Sequence, residues 1–218
     1  MVKRKLKNPP NPPGIFIVFE GGEGSGKTTQ INLLYEALQK RNYPVILTKE
    51  PGGTALGIAL RSLLIDKTSA MSSNAELLLF TADRAQHVSE IISPAIRDGK
   101  IILSDRHSLS TYAYQGCGRG MSLALISRLN RIACGSVSPN LTIWLAINPS
   151  LGLLRARNRS IPDRMEIQNL KFHEAVYEGF AKAAEKNKSI VPVDASKPAD
   201  EIHRVILSII RGRLEILV

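Results

Sequence analysis

The chain has little of what several classes of protein depend on. Its 218 residues include only two cysteines, Cys117 and Cys134, whose spacing fits neither a metal site nor a C-x-x-C redox motif. The four histidines form no ligand cluster along the sequence, and we expect structural or surface roles for them. Two free thiols are the simplest interpretation, which favours the reducing cytoplasm over a disulfide-forming compartment.

Long apolar runs are also missing. No stretch approaches the roughly 18 apolar residues from which a membrane-spanning helix is built, so we expect no membrane association. Residues 1–13 combine four basic residues with four prolines and have no acid and no apolar segment, which argues against a secretory signal. We expect a disordered, basic and proline-rich tail over 1–13 and a single domain over 14–218.

The excess of basic over acidic residues allows two interpretations. The net charge is +10, which suits either an enzyme that handles polyanions or a nucleic-acid-binding protein. No nucleic-acid recognition motif is present, and no basic run is interleaved with aromatic residues, so we expect nucleic acid not to be a partner. A GTP-dependent switch would need an N-K-x-D motif, and the segment 187–190, Asn-Lys-Ser-Ile, lacks the final aspartate.

One motif dominates what is present. Residues 21–28 read Gly-Gly-Glu-Gly-Ser-Gly-Lys-Thr and match the G-x-x-x-x-G-K-[ST] phosphate-binding loop, or P-loop. The apolar run 15–19 before it is typical of a buried parallel strand, and apolar residues recur at helical spacing from Ile31 onward. The loop therefore joins a strand to a helix N-terminus, where free backbone N–H groups and the helix dipole attract phosphate.

The residue types of this loop define its chemistry. Glycines let the backbone close around phosphate oxygens, Lys27 supplies a cation for the β- and γ-phosphates, and the Thr28 hydroxyl can bind Mg²⁺. We therefore expect the loop to bind a nucleoside triphosphate. The predicted nucleotide-binding residues are Gly21, Gly22, Glu23, Gly24, Ser25, Gly26, Lys27, Thr28 and Thr29.

Strand-like and helical patterns alternate along the chain. Apolar strand-like runs occur at 15–19, 45–48, 101–104, 141–147 and 190–193. Helical patterns cover 27–41, 55–65, about 74–97, 122–134, 149–157, 166–186 and 199–211. This alternation predicts an α/β fold, a P-loop NTPase-type three-layer sandwich with a five-stranded parallel sheet and helices on both faces. Ligands bind at the carboxyl ends of such strands, which makes the residues after each strand candidates for the site.

Two segments follow strands in this way. The segment 50–54, Glu-Pro-Gly-Gly-Thr, is either a plain loop or a substrate loop, and Arg61 follows it in the next helix. After the third strand, Asp105 could orient water on Mg²⁺ and Arg106 could bind a second phosphate. The alternative for this second pair is a surface ion pair.

Two further patterns bear on the site. Four arginines crowd into ten residues around Ser160-Ile161-Pro162, a sequence that breaks helices, and Asp163 and Glu166 are the nearest carboxylates to offset them. The cluster predicts either a mobile lid over the triphosphate, at about 157–164, or a solvated helix end. The four are Arg155, Arg157, Arg159 and Arg164.

Phe80 and Arg84 share one face of the predicted helix because they are four residues apart. An exposed aromatic ring with a guanidinium one turn later can stack on a base and hydrogen-bond its edge. Taken alone, Phe80 would more often be a core residue.

Together these motifs resemble the thymidylate kinase (dTMP kinase) family, of the bacterial type, over nearly all of 15–211. The resemblance rests on four segments, 19–29, 50–54, 77–87 and 105–116, of which the last two are much more specific than the P-loop. It implies transfer of a phosphoryl group from Mg²⁺-ATP to dTMP by a cytoplasmic homodimer. The alternatives are another P-loop kinase of small molecules or nucleotides, and a nucleic-acid-stimulated ATPase.

The resemblance also implies how the acceptor would be held. Phe80 would stack on thymine, Arg84 and Thr111 would read its polar edge, and Tyr114 would lie against the sugar with Gln115 nearby. Arg106, assisted by Arg61, would hold the dTMP phosphate. The remaining implied acceptor-site residues are Glu50, Pro51 and Ser110.

The implied catalytic groups are Lys27, Arg106, Asp105 acting through Mg²⁺-bound water, Glu23 near the acceptor 3′-hydroxyl, and one lid arginine. The family places a catalytic basic residue either in the P-loop or in the lid. The P-loop position holds Gly24 here, so the resemblance implies a lid arginine, with Arg159 our first choice. Arg157 is our second choice and an expected ATP contact.

Three further features complete the resemblance. The segment 194–198 resembles the adenine-side loop of the family. Ala146 stands where the family commonly has aspartate, and Ile58 stands where it commonly has an acidic residue. The basic, proline-rich tail is an addition to the family pattern.

Overall fold

A computed structural model of the chain describes residues 13–158 and 163–216. The predicted tail, apart from Pro13, and the tip of the predicted lid, with Arg159, lie outside these ranges. In the described part, five strands form one sheet in the order β2-β3-β1-β4-β5, and all neighbours pair in parallel. The strands are β1 Ile15–Glu20, β2 Val45–Lys49, β3 Ile101–Asp105, β4 Leu141–Ala146 and β5 Ile190–Asp194.

Helices connect the strands and cover both faces of the sheet, which confirms the predicted α/β sandwich. They are α1 Lys27–Gln39, α2 Ala55–Ile65, α3 Ser73–His87, α4 Ser93–Arg97, α5 Ser108–Thr111, α6 Leu123–Cys134, α7 Pro149–Arg157, α8 Leu170–Lys186 and α9 Ala199–Leu214. Two π-helical segments, Val88–Ile92 and Tyr112–Gly118, follow α3 and α5. None of the helices in the described ranges is long and apolar enough to cross a membrane.

The central strand β1 shows why the sheet is buried on both faces. Ile17 and Phe19 pack in a cluster with α1 and α9, whereas Phe16 and Val18 pack in a second cluster with the segment 88–95. Successive side chains of a strand point to opposite faces, so one apolar run serves two cores. This double burial places the carboxyl end of β1, where the P-loop begins, inside the molecule.

Two of the predicted helical patterns differ from the helices of the structure and are corrected here. The pattern at about 74–97 is one helical run in the structure, but the π-helical segment Val88–Ile92 separates α3 from α4. The pattern at 166–186 begins as a helix only at Leu170, because the Asn169 side chain caps it by accepting a hydrogen bond from the Phe172 N–H at 2.9 Å.

The sequence patterns missed the helical stretch 108–118. Its aromatic, threonine and glycine residues are weak helix formers, so local propensity does not indicate a helix there. Packing against α8 decides the conformation: a Cβ atom on Gly179 would lie 2.8 Å from the Cys117 sulfur. This close approach places the side chains of Ser110, Thr111 and Tyr114 along one cavity.

Candidate active site

The P-loop closes tightly before α1. Gly24 and Gly26 have backbone φ angles of 63° and 87°, in the left-handed region that favours glycine. A Cβ atom on Gly24 would overlap the carbonyl oxygen of Gly152 in α7, and a Cβ on Gly152 would overlap the carbonyl oxygen of Glu23. The P-loop therefore packs directly against the helix that leads to the predicted lid, and position 24 has no room for a basic side chain.

Lys27 is a buried cation whose hydrogen-bond partners in the described part of the chain are neutral oxygen atoms. Its Nζ lies 3.0 Å from the carbonyl oxygens of Gly21 and Gly22 and 3.3 Å from the Ser25 hydroxyl. Burial and the neighbouring Arg106 lower the pKa of Lys27 to about 8, although nearby carboxylates act in the opposite direction. The bound phosphates of a nucleotide would supply the anion that this ammonium group lacks.

Thr28 and Asp105 present oxygen atoms to one point at the edge of the sheet. The Thr28 hydroxyl donates to the Asp105 carboxylate at 3.4 Å, joining the first turn of α1 to the end of β3. Hydroxyl and carboxylate oxygens are hard donors of the kind that Mg²⁺ prefers when nucleotide phosphates and water complete its shell. The donor set therefore fits the predicted magnesium ion.

Arg106 has an unusual backbone as well as a central side chain. Its φ angle is 75°, in a region that non-glycine residues avoid, and its N–H donates to the Phe19 carbonyl at 2.9 Å. Such strain is of about 1–3 kcal/mol and persists where surrounding structure enforces it. The guanidinium donates to the Gly21 carbonyl, the Ser110 hydroxyl, the Glu23 carboxylate and the Tyr114 hydroxyl, at 3.0 to 3.2 Å.

The burial of Arg106 excludes one of the two alternatives, and phosphate binding stays a prediction. Its side chain is only 18 % exposed, so it does not form a surface ion pair. Burial alone would lower the pKa of Arg106, but Tyr114, Glu23, Asp105 and Glu20 outweigh burial and raise it. Arg106 is therefore a permanent cation between the P-loop and the helical stretch 108–118.

Glu23 and Tyr114 form a polar pair beside it. The Tyr114 hydroxyl donates to Glu23 at 2.7 Å, and the Arg106 guanidinium lies over the Tyr114 ring at 5.0 Å from its centroid. Burial would raise the pKa of Glu23, but Arg106 and Lys27 outweigh it and lower that pKa. Burial raises the pKa of Tyr114 well above its ordinary value. Glu23 is thus ionised and Tyr114 is a neutral donor.

Glu20, at the end of β1, supports this arrangement and was not predicted. Its carboxylate accepts hydrogen bonds from the N–H groups of His107 and Ser110 at 2.9 and 3.0 Å and from the Ser110 hydroxyl at 2.6 Å. Burial is the largest influence on Glu20 and raises its pKa. A carboxylate that ends a buried apolar strand is the one sequence feature that could have revealed it.

Arg84 is the largest side chain buried at the other end of the cavity. It is 2 % exposed, and its guanidinium donates to Glu50 at 2.9 Å, to Asn130 at 2.8 Å and to the His107 carbonyl at 3.2 Å. Phe80, one turn earlier on α3, is half-buried and lines the same cavity. The two predicted base-site residues therefore do share one face of α3.

Glu50 holds two histidines in addition to Arg84. Nδ1 of His87 and Nδ1 of His107 lie 2.9 and 2.8 Å from the same Glu50 oxygen. Burial would raise the pKa of Glu50, but Arg84 and His107 outweigh it, and the pKa lies well below the ordinary value. Burial lowers and Glu50 raises the pKa of His107, with the net result of about 9. The segment 50–54 is therefore anchored from within.

A second buried carboxylate, Glu76, was also not predicted. It accepts hydrogen bonds from Gln115 at 2.7 Å, from Arg119 at 3.2 Å and from Arg164 at 2.5 Å. Asp163 and Glu166 were expected to offset the arginine cluster. Within the described ranges, Arg164 pairs with a third carboxylate, Glu76, which lies 88 positions away in the sequence.

Two further arginines of the cluster, Arg155 and Arg157, lie in the last turn of α7. Arg155 donates to the carbonyl oxygens of Ala195 and Ser196 at 2.7 and 3.0 Å, so α7 contacts the predicted adenine-side loop. Arg157 is exposed at the last position of α7. The two departures from the family pattern, Ala146 and Ile58, do not line the cavity.

The cavity has a volume of about 330 Å³ and collects most of the predicted residues. Gly21, Gly22, Thr29 and Arg157 are not among its lining residues. The predicted residues that line it are Glu23, Gly24, Ser25, Gly26, Lys27, Thr28, Glu50, Pro51, Arg61, Phe80, Arg84, Asp105, Arg106, Ser110, Thr111, Tyr114 and Gln115.

A parallel β2-β3-β1-β4-β5 sheet, a P-loop after β1 and a second cationic site after β3 define a P-loop NTPase of the nucleotide-kinase class. Comparison with known proteins narrows this class. A family model described as thymidylate kinase matches residues 19–206. The chain therefore belongs to the thymidylate kinase family.

Individual relatives support the same family assignment. The chain is 52% identical over 184 residues to a thymidylate kinase of Gloeobacter violaceus, covering 83% of this chain and 87% of that protein. It is 43% identical over 217 residues to one of Trichodesmium erythraeum, covering 92% and 96%. A crystal structure of thymidylate kinase from Ehrlichia chaffeensis superposes with a TM-score of 0.77 at 33% identity, covering 91% of this chain and all of that one.

Proposed function

We propose that this protein transfers the γ-phosphoryl group of ATP to the phosphate of dTMP, giving ADP and dTDP for dTTP synthesis. One observation carries the proposal. A single cavity has the P-loop at one end and Phe80, Arg84 and Thr111 at the other. Arg106 lies between the two ends, where the phosphate of a nucleoside monophosphate would meet the triphosphate.

Family membership and geometry support a role for each part of the cavity. Phe80 stacks on thymine, Arg84 and Thr111 read its edge, and Tyr114 lies against the sugar. Arg106, with Arg61, binds the acceptor phosphate. The Arg61 side chain lines this cavity, and its guanidinium donates to the Pro51 carbonyl at 3.0 Å.

The reaction needs little covalent chemistry from the protein. The attacking group is an ionised phosphate oxygen, so no strong general base is required. Rate acceleration comes from in-line positioning and from charge neutralisation by Lys27, Arg106 and a lid arginine. Thr28 and Asp105 would hold Mg²⁺, which would supply positive charge to neutralise the phosphates. Glu23 orients the Tyr114 hydroxyl and the acceptor sugar.

We propose Arg159 as the catalytic lid arginine and Arg157 as the second candidate. The close contact of Gly24 with Gly152 supports a lid arginine, since a P-loop side chain at position 24 has no room. We expect Arg159→Ala to lower kcat about 100-fold or more, with a much smaller change in dTMP affinity. An unchanged kcat would refute the assignment, and Arg157→Ala would then be measured in the same assay.

The direct test of the function is ADP release from Mg²⁺-ATP with dTMP, dUMP, UMP, CMP, AMP and GMP in turn. We expect strong turnover with dTMP, weaker turnover with dUMP and little with the ribonucleotides. Turnover with a different acceptor, or ATP hydrolysis that needs no acceptor, would contradict the proposal while leaving the P-loop assignment intact.

We also propose a cytoplasmic homodimer. The two cysteines are free thiols, as a reducing compartment requires. Helices α2, α3 and α6 are neighbours and carry exposed apolar side chains that a second copy of the chain would cover. These are Leu56, Leu63, Leu78, Leu125 and Ile132, with exposed fractions of 43 % to 72 %. Light scattering of the wild type and of Ile132→Asp tests this, because a monomeric wild type would contradict it.

A further inference from the structure

The carboxylate of Glu76 has no part in the proposed chemistry, yet three separate elements converge on it. It lies in the first turn of α3 and is 1 % exposed. Gln115 donates to one oxygen at 2.7 Å, Arg164 donates to the other at 2.5 Å, and Arg119 reaches both oxygens at 3.4 and 3.2 Å. Burial would raise the pKa of Glu76, but these three donors outweigh it and lower the pKa. Glu76 is therefore a buried anion held by three donors.

Each donor connects Glu76 to a different part of the acceptor end. Gln115 lines the cavity beside Thr111. Arg119 ends the helical stretch 108–118 and lies over the Phe172 ring of α8, 4.8 Å from its centroid. Helix α3 itself carries Phe80 one turn after Glu76. One carboxylate thus lies behind the whole wall that would contact the base and sugar.

The third donor, Arg164, stands at the C-terminal end of the predicted lid. Its Nε donates to the Leu64 carbonyl at 2.8 Å and its backbone N–H donates to the Ile65 carbonyl at 3.3 Å, both at the end of α2. Asp163 and Met165 on either side line the cavity. The point where the lid rejoins the described structure is therefore fastened to the acceptor wall.

One feature distinguishes this cluster from an ordinary structural ion pair. A guanidinium nitrogen of Arg164, Nη2, is buried and has no hydrogen-bond partner in the described part of the chain. Buried polar side-chain atoms nearly always have a hydrogen-bond partner, so this unpaired nitrogen calls for an explanation. The cluster also holds two guanidinium groups on one carboxylate, so its charges are not balanced pairwise.

We propose that Glu76 is a positioning residue that couples the lid to the acceptor site. The proposal rests on the proposed function, in which a lid arginine acts on a phosphoryl group in transfer to a nucleotide bound against Phe80 and Gln115. By holding Gln115 and Arg164 on one carboxylate, Glu76 keeps the end of the lid in a defined position relative to the bound acceptor. Its loss affects transfer more than ATP binding, because the hydrogen bonds of Glu76 among the described residues go to Gln115, Arg119 and Arg164, away from the P-loop.

The test is a double-mutant cycle with Glu76→Gln, Arg164→Met and the combined variant. For each single variant we expect kcat for dTMP phosphorylation to fall about tenfold, KM for dTMP to rise, and KM for ATP to change by less than about twofold. The kcat of the double variant should be little lower than that of either single variant. It should therefore be about tenfold higher than the product of the two single effects would give. Arg164→Lys should recover part of kcat.

A matched control removes a carboxylate from the same helical run. Glu90 is exposed on the π-helical segment after α3, and Glu90→Gln should match the wild type in all three constants. Thermal melting of each variant separates folding from positioning. If Glu76→Gln does not fold, comparison of Arg164→Lys with Arg164→Met tests the same coupling.

Two outcomes would overturn the proposal. In the first, the effects of Glu76→Gln and Arg164→Met multiply independently. In the second, melting temperatures fall while kcat and KM for dTMP stay at wild-type values, which is what a merely structural cluster produces. If the wild type used an acceptor other than dTMP, the proposed function would fail, and the same cycle with that acceptor would still decide the role of Glu76.

Discussion

The two ends of the cavity differ in whether their buried cations are paired with carboxylates. At the phosphate end, the Lys27 ammonium contacts two carbonyl oxygens and a hydroxyl within residues 13–158 and 163–216, and its pKa is lowered to about 8. At the base end, Arg84 and two histidines share Glu50, while Arg119 and Arg164 share Glu76. The protein thus supplies the counter-ions at the base end and leaves one cation under-compensated at the phosphate end.

This difference follows from what each end must bind. A triphosphate brings its own negative charge, so an under-compensated lysine gains its partner when the nucleotide arrives. Thymine is neutral, so Arg84, which we propose reads its edge, needs a permanent carboxylate to remain buried and oriented. We therefore expect substitutions at the phosphate end to damage activity and those at the base end to damage stability as well.

The largest effect should come from Lys27→Met. We expect kcat to fall about a thousandfold, because the transferring phosphoryl group loses its fixed cation. The free energy of unfolding should stay the same or rise, since a poorly compensated buried charge is removed. Steady-state kinetics and urea unfolding measure the two quantities, with Lys40→Met, at the exposed end of α1, as the control. A large loss of stability would mean that the two ends do not differ as described.

Glu50→Gln should show the opposite pattern. Without the carboxylate, the buried Arg84 and His107 cations lose their partner, and the free energy of unfolding should fall by about 3 kcal/mol. Urea unfolding at neutral pH measures this, and Glu36→Gln on the exposed face of α1 is the matched control. Wild-type stability in Glu50→Gln would show that the base end does not depend on its own counter-ion.

The pH dependence of stability sharpens the comparison. The pKa of His107 is raised from 6.5 to about 9, so its ion pair stabilises the fold fully below pH 6.5 and is lost as pH rises through 9. Between those values we expect the wild type to lose on the order of 2 kcal/mol relative to His107→Gln.

Urea unfolding at pH 6, 7.5 and 9 measures this difference. Lys27 acts in the opposite direction, because its pKa is lowered, so stability rises as pH passes through about 8. The wild type and His107→Gln share Lys27, and subtracting one curve from the other isolates the histidine. Parallel curves for the two proteins would contradict the role of His107.

Phe80→Ala should have the smallest effect of the four. Loss of one base-stacking ring should raise KM for dTMP about tenfold and leave KM for ATP unchanged. Gln86→Ala, later on α3 and outside the cavity lining, is the control. An unaltered KM for dTMP would place the base elsewhere in the cavity.

Local sequence patterns were enough to predict most of the strands and helices. The apolar runs before Gly21 and Asp105 predicted buried parallel strands, and the P-loop predicted the helix that begins at Lys27. These features depend on residues close together in the chain, so periodicity and motif spacing report them. The stretch 108–118 was missed for the converse reason, because its helical form depends on packing against α8.

The carboxylates behind the site could not be predicted from spacing. Glu50 meets Arg84 across 34 positions and His107 across 57, and Glu76 meets Arg164 across 88. Nothing in a neighbouring residue marks Glu76 as a buried anion, since a glutamate in a first helical turn is usually a surface residue that complements the helix dipole.

The sequence by itself determined the succession of strands and helices along the chain, apart from the stretch 108–118, together with the place of the P-loop and the identity of the cations around it. These depend on short-range periodicity and on backbone conformations that only certain residues adopt. Only the tertiary structure decided which carboxylate each buried arginine and histidine shares, and that Gly24 faces Gly152. Burial makes the choice of partner decisive, because a charge removed from water must find its counter-ion wherever the fold brings one within reach.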